Sequence, residues 1–142
     1  MRTAVLVCFA LTLTVVAAPV PKAVKKANDA TLLDGRWESV SLDTGGGIRA
    51  DTTWWLEIKD GKLSTGCGGS KGYDGRTFRL DPDASPKHID IDDLSGKFIL
   101  TIYQLDGDTL TWCESSSTTR RPTEVKAGDS FNVFVFQRAK AK

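Results

Sequence analysis

The stretch "FILTIYQLDGDTLTWCE", Phe98–Glu114, decides how this chain folds. Apolar and β-branched residues crowd both sides of Asp106-Gly107, and successive side chains of an extended run point to opposite faces. Asp-Gly suits a tight hairpin, because both residues tolerate the positive φ that matches the twist of the flanking strands. The stretch therefore reads as two antiparallel strands, over Phe98–Gln104 and Thr109–Glu114.

Working outward, the same signal recurs. "TWWLEIK" and "KLSTGC" flank Asp60-Gly61, Asp74-Gly75 marks another turn, and "SGK" at Ser95–Lys97 a further one. Six more strands follow from this pattern, over Arg36–Leu42, Thr53–Lys59, Lys62–Cys67, Arg76–Leu80, His88–Asp92 and Phe131–Arg138. Pro82, Pro86 and Pro122 fall between strands, where a missing N–H does no harm. No helical periodicity longer than two turns appears beyond the N-terminus. Parity places Trp54, Leu56 and Ile58 on one face of their strand, with Trp55, Glu57 and Lys59 on the other. Phe78 with Leu80, and Ile89 with Ile91, form further inward pairs. The last strand is apolar on both sides, with Phe131, Val133 and Val135 opposed to Phe134 and Phe136. The fold class is all-β. Eight short antiparallel strands with one buried face remove their edges by closing into a barrel, and a β-sandwich is the competing architecture.

The N-terminus, "MRTAVLVCFALTLTVVAAP", has a basic start at Arg2, an uncharged apolar run and small residues at Ala17 and Ala18. That order predicts a signal peptide over residues 1–18. A flexible Pro/Ala/Lys leader over 19–31 and one β domain over 32–139 follow it. The apolar run is shorter than the roughly 20 residues of a permanent span, so no stable membrane span is expected after cleavage; a retained anchor is the alternative. The expected location is secreted or periplasmic. With 19 basic and 18 acidic residues the charge nearly cancels, which removes any electrostatic reason to expect nucleic acid as a partner. Cys67 and Cys113 remain after cleavage. Oxidising surroundings permit a disulfide between them, but spacing along a chain does not say whether their Cα atoms come within the roughly 4.4–6.8 Å a bridge requires. Bridged and free states both stay open.

Chemistry is hard to find. The one histidine, His88, stands in "DASPKHIDID" among aspartates, yet parity turns His88, Asp90 and Asp92 outward together. A metal cage needs ligands from several elements, and a nucleophile needs a positioned base. Neither is visible, so no metal, no cofactor and no enzyme is expected. "TGCGGSKG" lacks the Gly-Lys-Ser/Thr ending and strand–loop–helix setting of a phosphate loop, and reads as a hairpin loop. In "TTRRPTEV", Arg121 either meets an anionic ligand at a barrel mouth or braces a Pro-containing turn with Glu124.

Gly35-x-Trp37 on the first strand, with Arg138 on the last, resembles the lipocalin signature. The resemblance implies a tryptophan plugging one end of a barrel and an arginine packed across it as the structural closure. Five further stretches, "LDGRWESVS", "FRLDPDASPKHIDI", "IYQLDGDTLTWC", "RRPTEV" and "VFVFQR", span Leu33 to Arg138. In that order they resemble a family of small secreted lipocalin-like domains from planctomycete bacteria, whose function is unknown. The double tryptophan Trp54-Trp55 and the glycine-rich loop carrying Cys67 depart from that pattern. The resemblance implies a fold and transfers no active residues.

An eight-stranded barrel is just wide enough to be filled by its own side chains or to hold one small ligand. The expectation is thus a non-catalytic exported barrel binding a small apolar or amphiphilic molecule, through Trp54, Leu56, Ile58, Phe78, Trp112 and Arg121. The alternative is a structural or protein-interaction module of the envelope with a packed core, for which an exposed Trp55 would be the contact anchor.

Overall fold

The computed structural model describes residues 28–50, 52–116 and 120–140. The expected signal peptide and all but the end of the expected leader lie outside them. One short helix, α1 (Asp29–Leu33), precedes ten strands: β1 (Gly35–Asp43), β2 (Ile48–Arg49), β3 (Trp54–Lys59), β4 (Lys62–Cys67), β5 (Ser70–Lys71), β6 (Arg76–Asp81), β7 (Lys87–Asp92), β8 (Phe98–Asp106), β9 (Thr109–Ser115) and β10 (Phe131–Arg138). Hydrogen-bonded neighbours run β10-β9-β8-β7-β6-β4-β3-β1, and β1 pairs back onto β10. Eight antiparallel strands therefore close into a barrel, and the sandwich alternative falls. The two-residue strands β2 and β5 only extend its rim.

The turns follow local chemistry. Asp60 and Gly61 both take positive φ, 52° and 70°, between the paired Lys59 and Lys62, as a two-residue hairpin demands. At the other hairpin, Asp106 still pairs with Thr109, so the loop is Gly107-Asp108, and of these only Gly107 has positive φ. One register step separates this from the Asp106-Gly107 loop expected above. Between Ser39 and Ser41 the β1–β10 register slips by one residue, a bulge that leaves Val40 facing solvent and returns Leu42 to the interior opposite Phe134.

Parity holds along most strands. Leu56, Ile58, Leu63, Ile89, Ile91, Tyr103, Leu110 and Trp112 form one buried cluster with Phe134 and Phe136. β10 thus turns Phe134 and Phe136 inward, and Phe131, Val133 and Val135 outward. That outer side is covered too. Ile102 and Cys113, cross-strand partners on the outer wall, are fully buried, and so is Pro122 of the segment joining β9 to β10. The described part of this segment, from Arg120 on, lies on the outside of β8 and β9 as a second, smaller apolar layer.

The helix α1 was not anticipated, and the leader drawn to residue 31 overlaps it. Asn28 caps it, its side-chain oxygen accepting from Ala30 N at 3.2 Å. Leu33 is fully buried, and Asp29 reaches the wall, accepting from Tyr103 Oη at 2.7 Å and Lys87 Nζ at 2.6 Å. A five-residue helix has too little periodicity to read in sequence; tertiary contacts hold it. It plugs one end of the barrel.

Candidate functional site

The two ends of the barrel differ. At the α1 end, Trp37 is fully buried and donates its indole N–H to Leu33 O at 2.9 Å. The Arg138 guanidinium lies over the indole face, 4.1 Å from the ring centroid, where β1–β10 register pairs the two residues. It donates to Leu32 O at 2.5 Å, to Asp34 O at 2.7 Å and to Asp108 Oδ1 at 3.0 Å. Those carbonyls end α1 and have no helical partner of their own, so the arginine satisfies them. Gly35 takes a φ of +122° here, and a Cβ on it would stand 3.1 Å from Arg138 Nη1. Close approach and backbone sign both favour glycine at that position. Gly35, Trp37 and Arg138 thus meet at the closed end.

The opposite end is open. A cavity of about 150 Å³ enters the barrel there, lined by Trp54, Leu56, Tyr73, Trp112, Glu114 and Phe134 among others. Trp54 meets Phe134 edge-on at 5.7 Å, and Phe134 stacks on Phe136 at the same distance. Of the ligand set expected from sequence, Trp54, Leu56 and Trp112 line this cavity. Ile58 is buried with the core, and Phe78 packs against it; neither reaches the cavity wall.

Arg121 is a correction. It is not at the mouth and does not pair with Glu124. With Pro122 buried, Arg121 is pinned against the outer wall, its Nη1 2.7 Å from Asp90 Oδ1 and donating to Thr101 O at 3.0 Å. The Asp90 contact is an ion pair without hydrogen-bond alignment. Arg79 meets the other oxygen of Asp90 at 3.3 Å and covers the Phe98 ring at 3.6 Å. This cluster fastens the covering segment to β7 and faces away from the cavity. His88 shares the outer side of β7, while Ile89 and Ile91 are fully buried.

The structure keeps the two cysteines, left open above, apart. Cys67 is exposed at the rim and Cys113 is buried under the covering segment, and both are free thiols. Alternation explains the separation: Cys67 carries the inward parity of β4, whereas Cys113 carries the outward parity of β9. Burial pushes the Cys113 thiol above its ordinary pKa, which keeps it protonated and unreactive. Trp55 does lie on the outer wall, but it is half-covered. The Arg36 guanidinium sits 4.4 Å above its ring, and the ring lies across Gly66, where a Cβ would come within 2.5 Å of Trp55 Cζ2. It is no free contact anchor.

Glu114 is the residue that sequence reading passed over. Leu110, Trp112 and Glu114 share the inward face of β9, so "TLTWCE" already held the signal. Glu114 Oε2 accepts from Trp112 Nε1 at 3.3 Å. No ion pair to Glu114 occurs among the described residues. Burial raises its pKa, opposed by the indole hydrogen bond. Thr101, directly across on β8, has a buried hydroxyl without a protein partner. Tyr73 had no sequence signal at all. It enters the wall from the glycine-rich loop, which folds back so that Gly72 N donates to Thr65 O at 2.8 Å and Tyr73 N to Thr65 Oγ1 at 3.1 Å. Burial first, and then the nearby Glu114 carboxylate, push the Tyr73 phenol up to about 12. What the site offers chemically is an aromatic cavity with one unneutralised carboxylate. Among the described residues no cluster of His, Cys, Asp and Glu could hold a metal ion, and no helix is long and apolar enough to cross a membrane. Comparison of the chain with family models, curated proteins and solved structures finds no match.

Proposed function

We propose that this protein is a non-catalytic, exported lipocalin-like barrel that binds one small, largely apolar molecule at its open end. The cavity of about 150 Å³ between Trp54, Trp112 and Phe134 carries this reading. A cavity of that volume in a protein core houses a benzene-sized guest, so the space matches a compact ligand or one end of a longer one. The division of labour along the barrel supports it: α1, Trp37 and Arg138 close one end, while the other keeps an opening. Export rests on the charge, apolar run and small residues of the N-terminus. The lipocalin-like assignment rests on the resemblance together with the Trp37–Arg138 contact.

The test is native mass spectrometry of protein purified from its own host, with titration of small aromatic and aliphatic molecules followed by tryptophan fluorescence. Trp54 and Trp112 line the cavity and are placed to report. A co-purifying mass, or saturable quenching that Trp112→Ala removes, is the expected result. A bare polypeptide mass together with no saturable response would overturn the proposal. The envelope-module reading keeps one observation in its favour. Ile48 is 75% exposed beside an outer cleft formed by Val125, Val133 and Val135.

A further inference from the structure

The carboxylate in the cavity narrows the ligand class, an inference that rests on the binding reading above. An apolar cavity is poorly served by an ionisable group: removing a carboxylate from water without a partner is costly, and burial holds Glu114 above its ordinary pKa. Among the described residues, the hydrogen bond its carboxylate accepts comes from the Trp112 indole, at 3.3 Å. Arg76 stands beside the Tyr73 part of this wall and is otherwise engaged. It donates to Asp92 O at 3.2 Å and stands 5.7 Å from the centroid of Tyr73. Around Glu114 stand the rings of Trp54, Tyr73, Trp112 and Phe134. The faces of such rings carry negative potential and attract cations, most strongly tryptophan.

From this geometry we infer that the open end of the barrel selects a compact ammonium cation, quaternary or protonated, held by Glu114 and enclosed by Trp54, Trp112, Tyr73 and Phe134. Each alternative class fits worse. An anionic ligand meets the Glu114 carboxylate in a low-dielectric space. A neutral apolar ligand displaces water from Glu114 and offers nothing in return. A cation supplies the missing counter-charge and the π contacts together. The volume suits a trimethylammonium group or a six-membered cyclic amine, either of which is about the size of the benzene ring that a 150 Å³ cavity accommodates.

Choline and its uncharged isostere 3,3-dimethylbutan-1-ol, which share shape and differ in charge, provide the test by calorimetric or NMR titration of the full chain. The wild type is expected to bind choline at least about tenfold more tightly than the alcohol. Glu114→Gln keeps an oxygen to accept from Trp112 and removes the charge; it should erase that preference by weakening choline. Acidification supplies an independent arm that needs no variant. The choline preference of the wild type should fade as Glu114 protonates, because Tyr73, the other titratable side chain lining the cavity, stays neutral in acid. Equal binding of both probes by the wild type, or a preference that survives both Glu114→Gln and acid, overturns the cation inference and leaves the binding reading intact. If neither probe binds while an aromatic hydrocarbon does, the cation inference alone fails. If nothing binds, the pocket reading fails and takes the inference with it.

Discussion

Replacing Arg138 by methionine tests the closed end, because methionine keeps an unbranched chain over Trp37 and deletes only the guanidinium. Three contributions disappear. Two charge-assisted hydrogen bonds to Leu32 O and Asp34 O lose their donors. Such bonds contribute roughly 1.5–3 kcal/mol when buried, and about 1 kcal/mol each is the discounted figure for a side chain that remains partly exposed. The stacking on Trp37, at 4.1 Å, adds about 1 kcal/mol. The Asp108 ion pair adds little, since Asp108 is 76% exposed. The expected total is about 3 kcal/mol, which for a domain of this size lowers Tm by about 10–15 °C. Urea denaturation followed by far-ultraviolet circular dichroism gives the free energy, and thermal melts give Tm. Asp108→Ala is the internal control, with an expected cost below about 1 kcal/mol. A loss under about 1 kcal/mol for Arg138→Met, or an equal loss for Asp108→Ala, would refute the view that the guanidinium matters through α1 and Trp37.

Further consequences can be checked with the same methods. In the ligand-free protein Glu114→Gln should raise stability near neutrality and leave it unchanged below the ordinary carboxyl value of 4.5. The sign follows from a folded-state pKa above the unfolded one: protonated Glu114 is tolerated, and stability falls as pH rises through the folded value. Denaturation midpoints of both proteins across that interval decide it. Arg121→Met should destabilise by roughly 1–3 kcal/mol, because Asp90 keeps a largely buried charge with less compensation, while any ligand affinity stays unchanged. A drop in affinity without loss of stability would return Arg121 to the mouth. Under native conditions a thiol reagent should label Cys67, and Cys113 only after denaturation, as peptide masses would show. Ile91→Ala should cost about 2–5 kcal/mol, since its side chain is fully buried, whereas His88→Ala should change stability by less than about 1 kcal/mol.

Much of this protein was legible from local chemistry. Alternation in "TWWLEIK", "KHIDID" and "TLTWCE" placed Leu56, Ile58, Ile89 and Ile91 inside, because a strand's side chains have no choice but to alternate. Asp60-Gly61 gave its hairpin for the equally local reason that both residues accept positive φ. Glu114 was legible by the same parity and was passed over because a glutamate at a strand end resembles a solvated one. Closure into a barrel followed too, from eight strands that must lose their edges; the details of packing lay beyond such reasoning. Which face of β10 turns inward depends on its pairing with β1 and on the bulge at Val40. Whether Arg121 meets a ligand or Asp90 depends on where Pro122 is buried. Tyr73 joins the cavity only because a loop folds back across Thr65. The first two depend on contacts between residues far apart in the chain, and the energy that selects them exists only once the barrel has closed. Sequence alone therefore determined the eight barrel strands, the Asp60-Gly61 turn and most of the core; the tertiary structure decided how the covering segment packs, which thiols stay apart and which carboxylate stands unpaired inside.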